Sequence, residues 1–205
     1  MFRIPGYVLL AAMLGLNGGS PAAPVVTDGP SYTAEGQLKY PEHYREWVFL
    51  TSGLDMSYDP KPGDAAHSVF DNVFVNPGAY RVFQQTGHWP EGTEFVLENR
   101  GAEASKSINK AGKTQSLEVT GTEVHVLDSA HLDPQHKNDG WGFYAFKDHV
   151  SAKLLERPKS CYTCHEEHAA VDTTFVQFYP TLQKAAEANR SYSAKYLKEM
   201  EPPAK

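Results

Sequence analysis

Apolar and polar positions along the chain follow two periods. Val69-Phe-Asp-Asn-Val-Phe-Val75 is β-branched and aromatic, and Thr93 to Glu98 is a further strand candidate. Glu123-Val-His-Val-Leu127 alternates at period two and Trp141-Gly-Phe-Tyr-Ala-Phe146 is aromatic, so each of these segments predicts a β-strand. Val48-Phe-Leu-Thr51 is apolar and short enough to be another. Tyr40, Tyr44 and Trp47 stand at helical spacing with Pro41 in the first turn, which predicts a helix over 40–47. Asn76-Pro77 reads as an N-cap followed by proline at the first helical position, so a short helix through Tyr80, Arg81 and Gln84 should end near Gly87. Turns are expected at 59–63 and at Trp89-Pro-Glu-Gly92, and the polar run from Arg100 to Gln115 predicts a solvated hairpin connection.

Four or five strands with short turns, one inserted helix and a helical C-terminal segment predict an α+β domain with a mainly antiparallel β-sheet. That domain is expected over residues 35–182, followed by a helical or disordered tail over 183–205. At the other end, Arg3 precedes an apolar run from Tyr7 to Leu16, and Asn17 to Ala23 supplies small residues with a preferred cleavage site at Ser20-Pro21-Ala22. This predicts a signal peptide over 1–22 and a flexible lead-in over 23–34. The run is shorter than the about 20 apolar residues that span a bilayer, so a soluble, exported mature chain is expected. The formal net charge is −6, and −7 without Arg3, spread through the sequence. Such an acidic balance argues against a nucleic-acid partner.

Only two cysteines are present, and they stand together in Cys161-Tyr162-Thr163-Cys164-His165. C-x-x-C-H is the attachment signature of a c-type haem. Two thiols one helical turn apart can add to the two vinyl groups on one edge of a porphyrin, and the next residue then lies under the iron as its ligand. A thiol–disulfide pair, or a zinc site that recruits His168, would also use both cysteines, but neither accounts for His165. Cys161, Cys164 and His165 are therefore the expected haem-binding residues, with His165 on the iron. A sixth ligand could come from Met56 or Met200, or from His43, His67, His88, His125, His131, His136, His149 or His168. The strands and the prolines at 60, 62, 77, 90 and 134 exclude a four-helix cytochrome.

An ordered series of segments resembles the cytochrome P-460 family over about residues 35–182. It comprises a strand with Trp47, Gly78-Ala-Tyr-Arg-Val82, Trp89-Pro-Glu-Gly92, Glu123 to Asp128, Gly140-Trp-Gly142 and the C-x-x-C-H motif. The resemblance implies an antiparallel-sheet, mono-haem protein, usually a homodimer, in a bacterial periplasm. It also implies two activities. Enzymes of the family oxidise hydroxylamine with a haem cross-linked to a lysine and pass electrons to a cytochrome partner, whereas the cytochromes c-prime-beta lack the cross-link. The latter bind nitric oxide at a five-coordinate iron under a phenylalanine-lined distal face. By position the cross-linking lysine falls on Leu97, with Lys106 or Lys110 as substitutes only in another register, while Arg81 and Glu123 match an arginine and a carboxylate of the distal side. On an alternating strand His125 shares the face of Glu123. Phe70, Phe74, Phe83, Phe95, Phe143 and Phe146 are the stock for a distal lining. The expectation is a five-coordinate iron that binds or converts small nitrogen oxides, nitric oxide binding foremost.

Overall fold

The computed structural model describes residues 26–56, 68–104, 107–132, 140–156 and 160–202. The expected leader, the turn at 59–63, His67, Lys106 and His136 lie outside the described residues. The architecture is α+β, with a five-stranded antiparallel sheet as its centre. Its strands are β2 (Val48–Leu54), β3 (Val69–Val75), β4 (Thr93–Ala104), β5 (Lys113–Leu127) and β6 (Trp141–Phe146), in that spatial order. A minor pair, β1 (Leu38–Lys39) with β7 (Ser151–Ala152), ties the N-terminal segment to the chain after β6. Among the described residues no helix is long and apolar enough to cross a membrane.

Two elements differ from the sequence expectation. Residues 40–47 do not form a helix; a single 3-10 turn over Tyr44–Glu46 leads directly into β2. Tyr44 and Trp47 pack instead with Leu38, Val96, Val124 and Tyr144 under one face of the sheet, so tertiary burial outweighs their helical spacing. The polar run from Arg100 to Gln115 does join two antiparallel strands, but strand takes up both of its ends. β4 continues to Ala104 and β5 begins at Lys113, paired as a ribbon beyond the rest of the sheet. The outer half of β5 is largely exposed, and a ribbon wetted on both faces needs no apolar alternation.

Helix α1 (Pro77–Thr86) starts and stops where the sequence places it, with Asn76 as N-cap residue and Gly87 in the left-handed region at φ 73°. The Asn76 side chain does not cap the helix. Asp28 does so, accepting a hydrogen bond from the Gly78 N–H at 2.8 Å, while the Asn76 side chain donates to Gly92 O and accepts from the Glu94 N–H. Helices α2 (Ser160–His168), α3 (Gln183–Asn189) and α4 (Ala194–Glu199) complete the chain. α3 lies against α1, and Leu182 and Ala186 join the same core as Val75, Phe83, Trp89 and Trp141. Packing therefore continues past residue 182 into the C-terminal helices.

Candidate haem site

Cross-strand register sorts the sheet face that points toward α1 and α2 into rows. Val75, Phe95, His125 and Phe143 stand side by side in one row, and Val73, Leu97, Glu123 and Ala145 in the next. Leu97 is thus directly opposite Glu123, and His125 is two residues along on the same face, as alternation requires. Phe74, Phe146 and, by alternation, Phe70 belong to the opposite face, which removes them from any lining on this side.

Helix α2 lays its C-x-x-C-H motif against the His125 row. Cys161, Cys164 and His165 sit at i, i+3 and i+4, one turn apart on one side of the helix. Both cysteines are half-buried thiols and not a disulfide. Tyr162, inside the motif, is the anchor: it is 3% exposed, its hydroxyl donates to Leu155 O at 3.0 Å, and its ring meets Phe143 edge-on. Thr163 points outward. At the end of the helix Gln177 donates to His168 O and accepts from the Ala170 N–H, and so fastens the last turn.

His165 is enclosed by rings. His125 and Phe143 approach it edge-on, with centroids 4.9 and 4.7 Å away, and Phe175 tilts over it at 4.3 Å. Its Nδ1 lies 2.6 Å from Thr173 O. A carbonyl can only accept, so Nδ1 carries the hydrogen and Nε2 keeps its lone pair for a metal. Burial lowers the His165 pKa to about 4, against a small opposite effect of the Thr173 carbonyl, so the imidazole is neutral at physiological pH, as a ligand must be. The acceptor loop is itself unusual. Asp172 and Thr173 are successive non-glycine residues at φ 45° and 56°, and each such residue costs on the order of 1–3 kcal/mol.

His125 is buried, stacked on Phe143 at 4.0 Å, and its Nε2 has no hydrogen-bond partner among the described residues. Desolvation, then the neighbouring His165, holds its pKa well below the usual value. Two imidazoles on opposite sides of one metal, with bonds of about 2 Å, hold their centres roughly 6 Å apart. At 4.9 Å and edge-on, His125 stands beside His165 and does not oppose it. The remaining described histidines are committed elsewhere: His43 to Glu46, His88 to Asp172, His131 to Tyr32 and Asp128, His149 to Tyr40, and His168 to Glu199. Met56 packs over Gly53 on β2. That is three strands from β5, roughly 14 Å at the usual strand spacing. Met200 is exposed at the end of α4.

Glu123 reaches solvent, yet its carboxyl lies over an apolar row, and desolvation, then the negative Asp71 on the same face, raises its pKa. Arg81 is on the exposed side of α1, away from the rings that enclose His165. Sequence reasoning had no signal for Phe175 or the Asp172–Thr173 loop, because the turn that carries them back onto His165 leaves no periodic pattern. Tyr162 was readable only as a residue inside the motif. A cleft of about 300 Å³ lined by His88, Trp89, Leu127, Trp141, Asp172 and Thr173 adjoins the acceptor loop.

The donor set fits a haem: two thiols one turn apart, a neutral imidazole with a fixed tautomer and a bare Nε2, and an apolar sheet face beside them. No match was found among curated proteins. The family model for cytochrome P460 matches residues 41–176, which take in the whole sheet, α1, the motif and the loop that orients His165. With that match spanning well over half of its length, the chain belongs to the cytochrome P460 family and is a haem-containing cytochrome.

Proposed function

We propose that this chain is an exported, periplasmic mono-haem c-type cytochrome that binds or converts small nitrogen oxides, with nitric oxide binding or detoxification as its main task. In this reading Cys161 and Cys164 form the thioether bonds and His165 is the sole protein ligand of the iron. The observation that carries it is the pairing of Leu97 with Glu123 beside the His125–His165 cluster. An aliphatic side chain occupies the position that the family resemblance gives to the cross-linking lysine, so this haem stays uncross-linked. Bound haem supplies an iron at which a small nitrogen oxide ligates and exchanges electrons. The protein's own part is to keep His165 neutral and oriented, to hold His125 and Met56 away from the opposite side, and to present an apolar surface of Val73, Leu97 and Ala145. Export and a homodimer belong to the same proposal, resting on the apolar N-terminal run and the family resemblance.

One observation favours a second reading. The raised pKa of Glu123 suits a general base for an N–H or O–H substrate, as hydroxylamine or nitric oxide oxidation would need, with electrons passed to a cytochrome partner. Arg81 stands exposed on α1, away from the rings that enclose His165, and adds no observation to that reading.

The optical spectrum of the ferrous protein, before and after nitric oxide, tests these readings. An ordinary high-spin c-type spectrum that shifts with nitric oxide is expected. A strongly red-shifted Soret band would reveal a cross-link and transfer the weight to hydroxylamine oxidation; sharp low-spin bands indifferent to nitric oxide would mean simple electron transfer. His165→Ala should leave haem attached through its thioethers and alter the ferrous spectrum; an unchanged spectrum would remove the axial role of His165.

A further inference from the structure

Trp89 grips the loop that orients His165 at two points. Its main-chain N–H donates to Asp172 Oδ2 at 3.1 Å, and its indole Nε1–H donates to Thr174 Oγ1 at 2.8 Å. Thr173, whose carbonyl takes the His165 Nδ1–H, lies between those two anchors. Each anchor is reinforced. His88 Nδ1 stands 3.1 Å from the Asp172 carboxylate, and the Thr174 hydroxyl donates to Val171 O at 2.7 Å while the backbones of Val171 and Thr174 bond to each other. Trp89 is itself fixed in the core, 4.1 Å from Phe83 and 4.7 Å from Phe95 by ring centroids. Residues 172 and 173 are both in the left-handed region, an arrangement rare for a β-branched residue such as Thr173, so the loop needs external bonds to stay there.

We propose that Trp89, with Asp172 and Thr174, is a clamp that fixes the Thr173 carbonyl against His165 and thereby sets the strength of the bond between His165 and the haem iron. The proposal rests on the haem reading above. A hydrogen bond from Nδ1–H makes the imidazole more electron-rich, which strengthens the axial bond and favours ferric over ferrous iron. Trp89, Asp172 and Thr174 are positioning residues: they act on the iron only through Thr173 and His165. The Trp-Pro-Glu-Gly turn then has a task beyond reversing the chain, since its first residue joins the end of α1 to the proximal side of the haem.

The test uses the haem-loaded protein and two readouts, the iron–histidine stretching band of the ferrous state by resonance Raman and the midpoint potential. Thr174→Val, which removes the hydroxyl without changing charge, should move the band to lower frequency and raise the potential. Asp172→Ala should lower the band likewise, and Asp172→Asn, which keeps an oxygen for the Trp89 N–H, should restore it. Mere loss of a negative charge would shift the potential in both Asp172 variants and leave the band in place, which would overturn the clamp. So would a wild-type band and potential in Thr174→Val. Should Asp172→Ala fail to fold, Trp89→Phe, which keeps an aromatic ring in the core and the main-chain N–H but loses the indole N–H, decides by the same readouts. A wild-type protein without thioether-bound haem would remove the haem reading itself, whereas an attached haem with unmoved bands in the variants would remove the clamp alone.

Discussion

Two carboxylates on opposite faces of the five-stranded sheet, Glu98 and Glu123, are held in opposite ways. Beneath the face covered by the N-terminal segment, Glu98 is 3% exposed and receives Tyr44 Oη, Arg45 Nη2, Arg100 Nε and Asn72 Nδ2. Burial pushes its carboxyl pKa up, but the bonds from Arg100 and Tyr44 and the charges of Arg100 and Arg45 outweigh it, and the net shift is downward. On the other face, Glu123 has an upward shift from desolvation and Asp71, and the buried His125 Nε2 has no hydrogen-bond partner among the described residues. A carboxylate surrounded by donors belongs to the scaffold. One placed over an apolar row, next to a histidine cluster, is poised to meet something that is not protein.

Removing the scaffold carboxylate should have the largest effect. Glu98→Ala takes the carboxylate partner from Arg100, 12% exposed, leaving it only the carbonyls of Ser116 and Leu117, and should cost about 3–5 kcal/mol in urea unfolding; a loss below about 1 kcal/mol would mean the network is not integral to stability. Glu94, on the same face as Glu98, gives the next effect. Burial first, and Asp28 second, raise its pKa to about 8. The folded state therefore keeps this proton while the unfolded chain releases it near pH 4.5, so stability should fall as pH rises from about 4.5 to about 8, by up to about 1.4 kcal/mol per pH unit. Glu94→Gln should flatten that slope, and an unaltered pH profile would refute the assignment. Glu123 should matter least to folding. Glu123→Gln should change stability at neutral pH by less than about 0.5 kcal/mol and leave nitric oxide binding intact, while lowering any turnover of hydroxylamine; an effect on stability equal to that of Glu98→Ala would erase the contrast between the faces.

The C-x-x-C-H motif and the strand segments were legible in the sequence because both are local: a helical turn sets the spacing of Cys161, Cys164 and His165, and period two sets the face of Glu123 and His125. The helix start at Asn76 and its stop at Gly87 were legible for the same reason, since a proline at the first position and a left-handed residue at the end are backbone requirements. The failure over residues 40–47 marks the limit. Helical spacing of Tyr44 and Trp47 was present, but the contacts those rings make with Val96, Val124 and Tyr144 come from strands far along the chain, and burial there decides the conformation. The same limit hid the partners of His165. Thr173 is eight residues away, yet the loop that aims its carbonyl is held by Trp89, more than eighty residues upstream. By itself the sequence determined the α+β class, the helical spacing of Cys161, Cys164 and His165, and the shared face of Glu123 and His125. Only the tertiary structure decided that His125 stands beside His165, that Leu97 meets Glu123, and that a tryptophan from the turn after α1 bonds to the loop whose carbonyl meets His165, because long-range contacts carry no local periodicity.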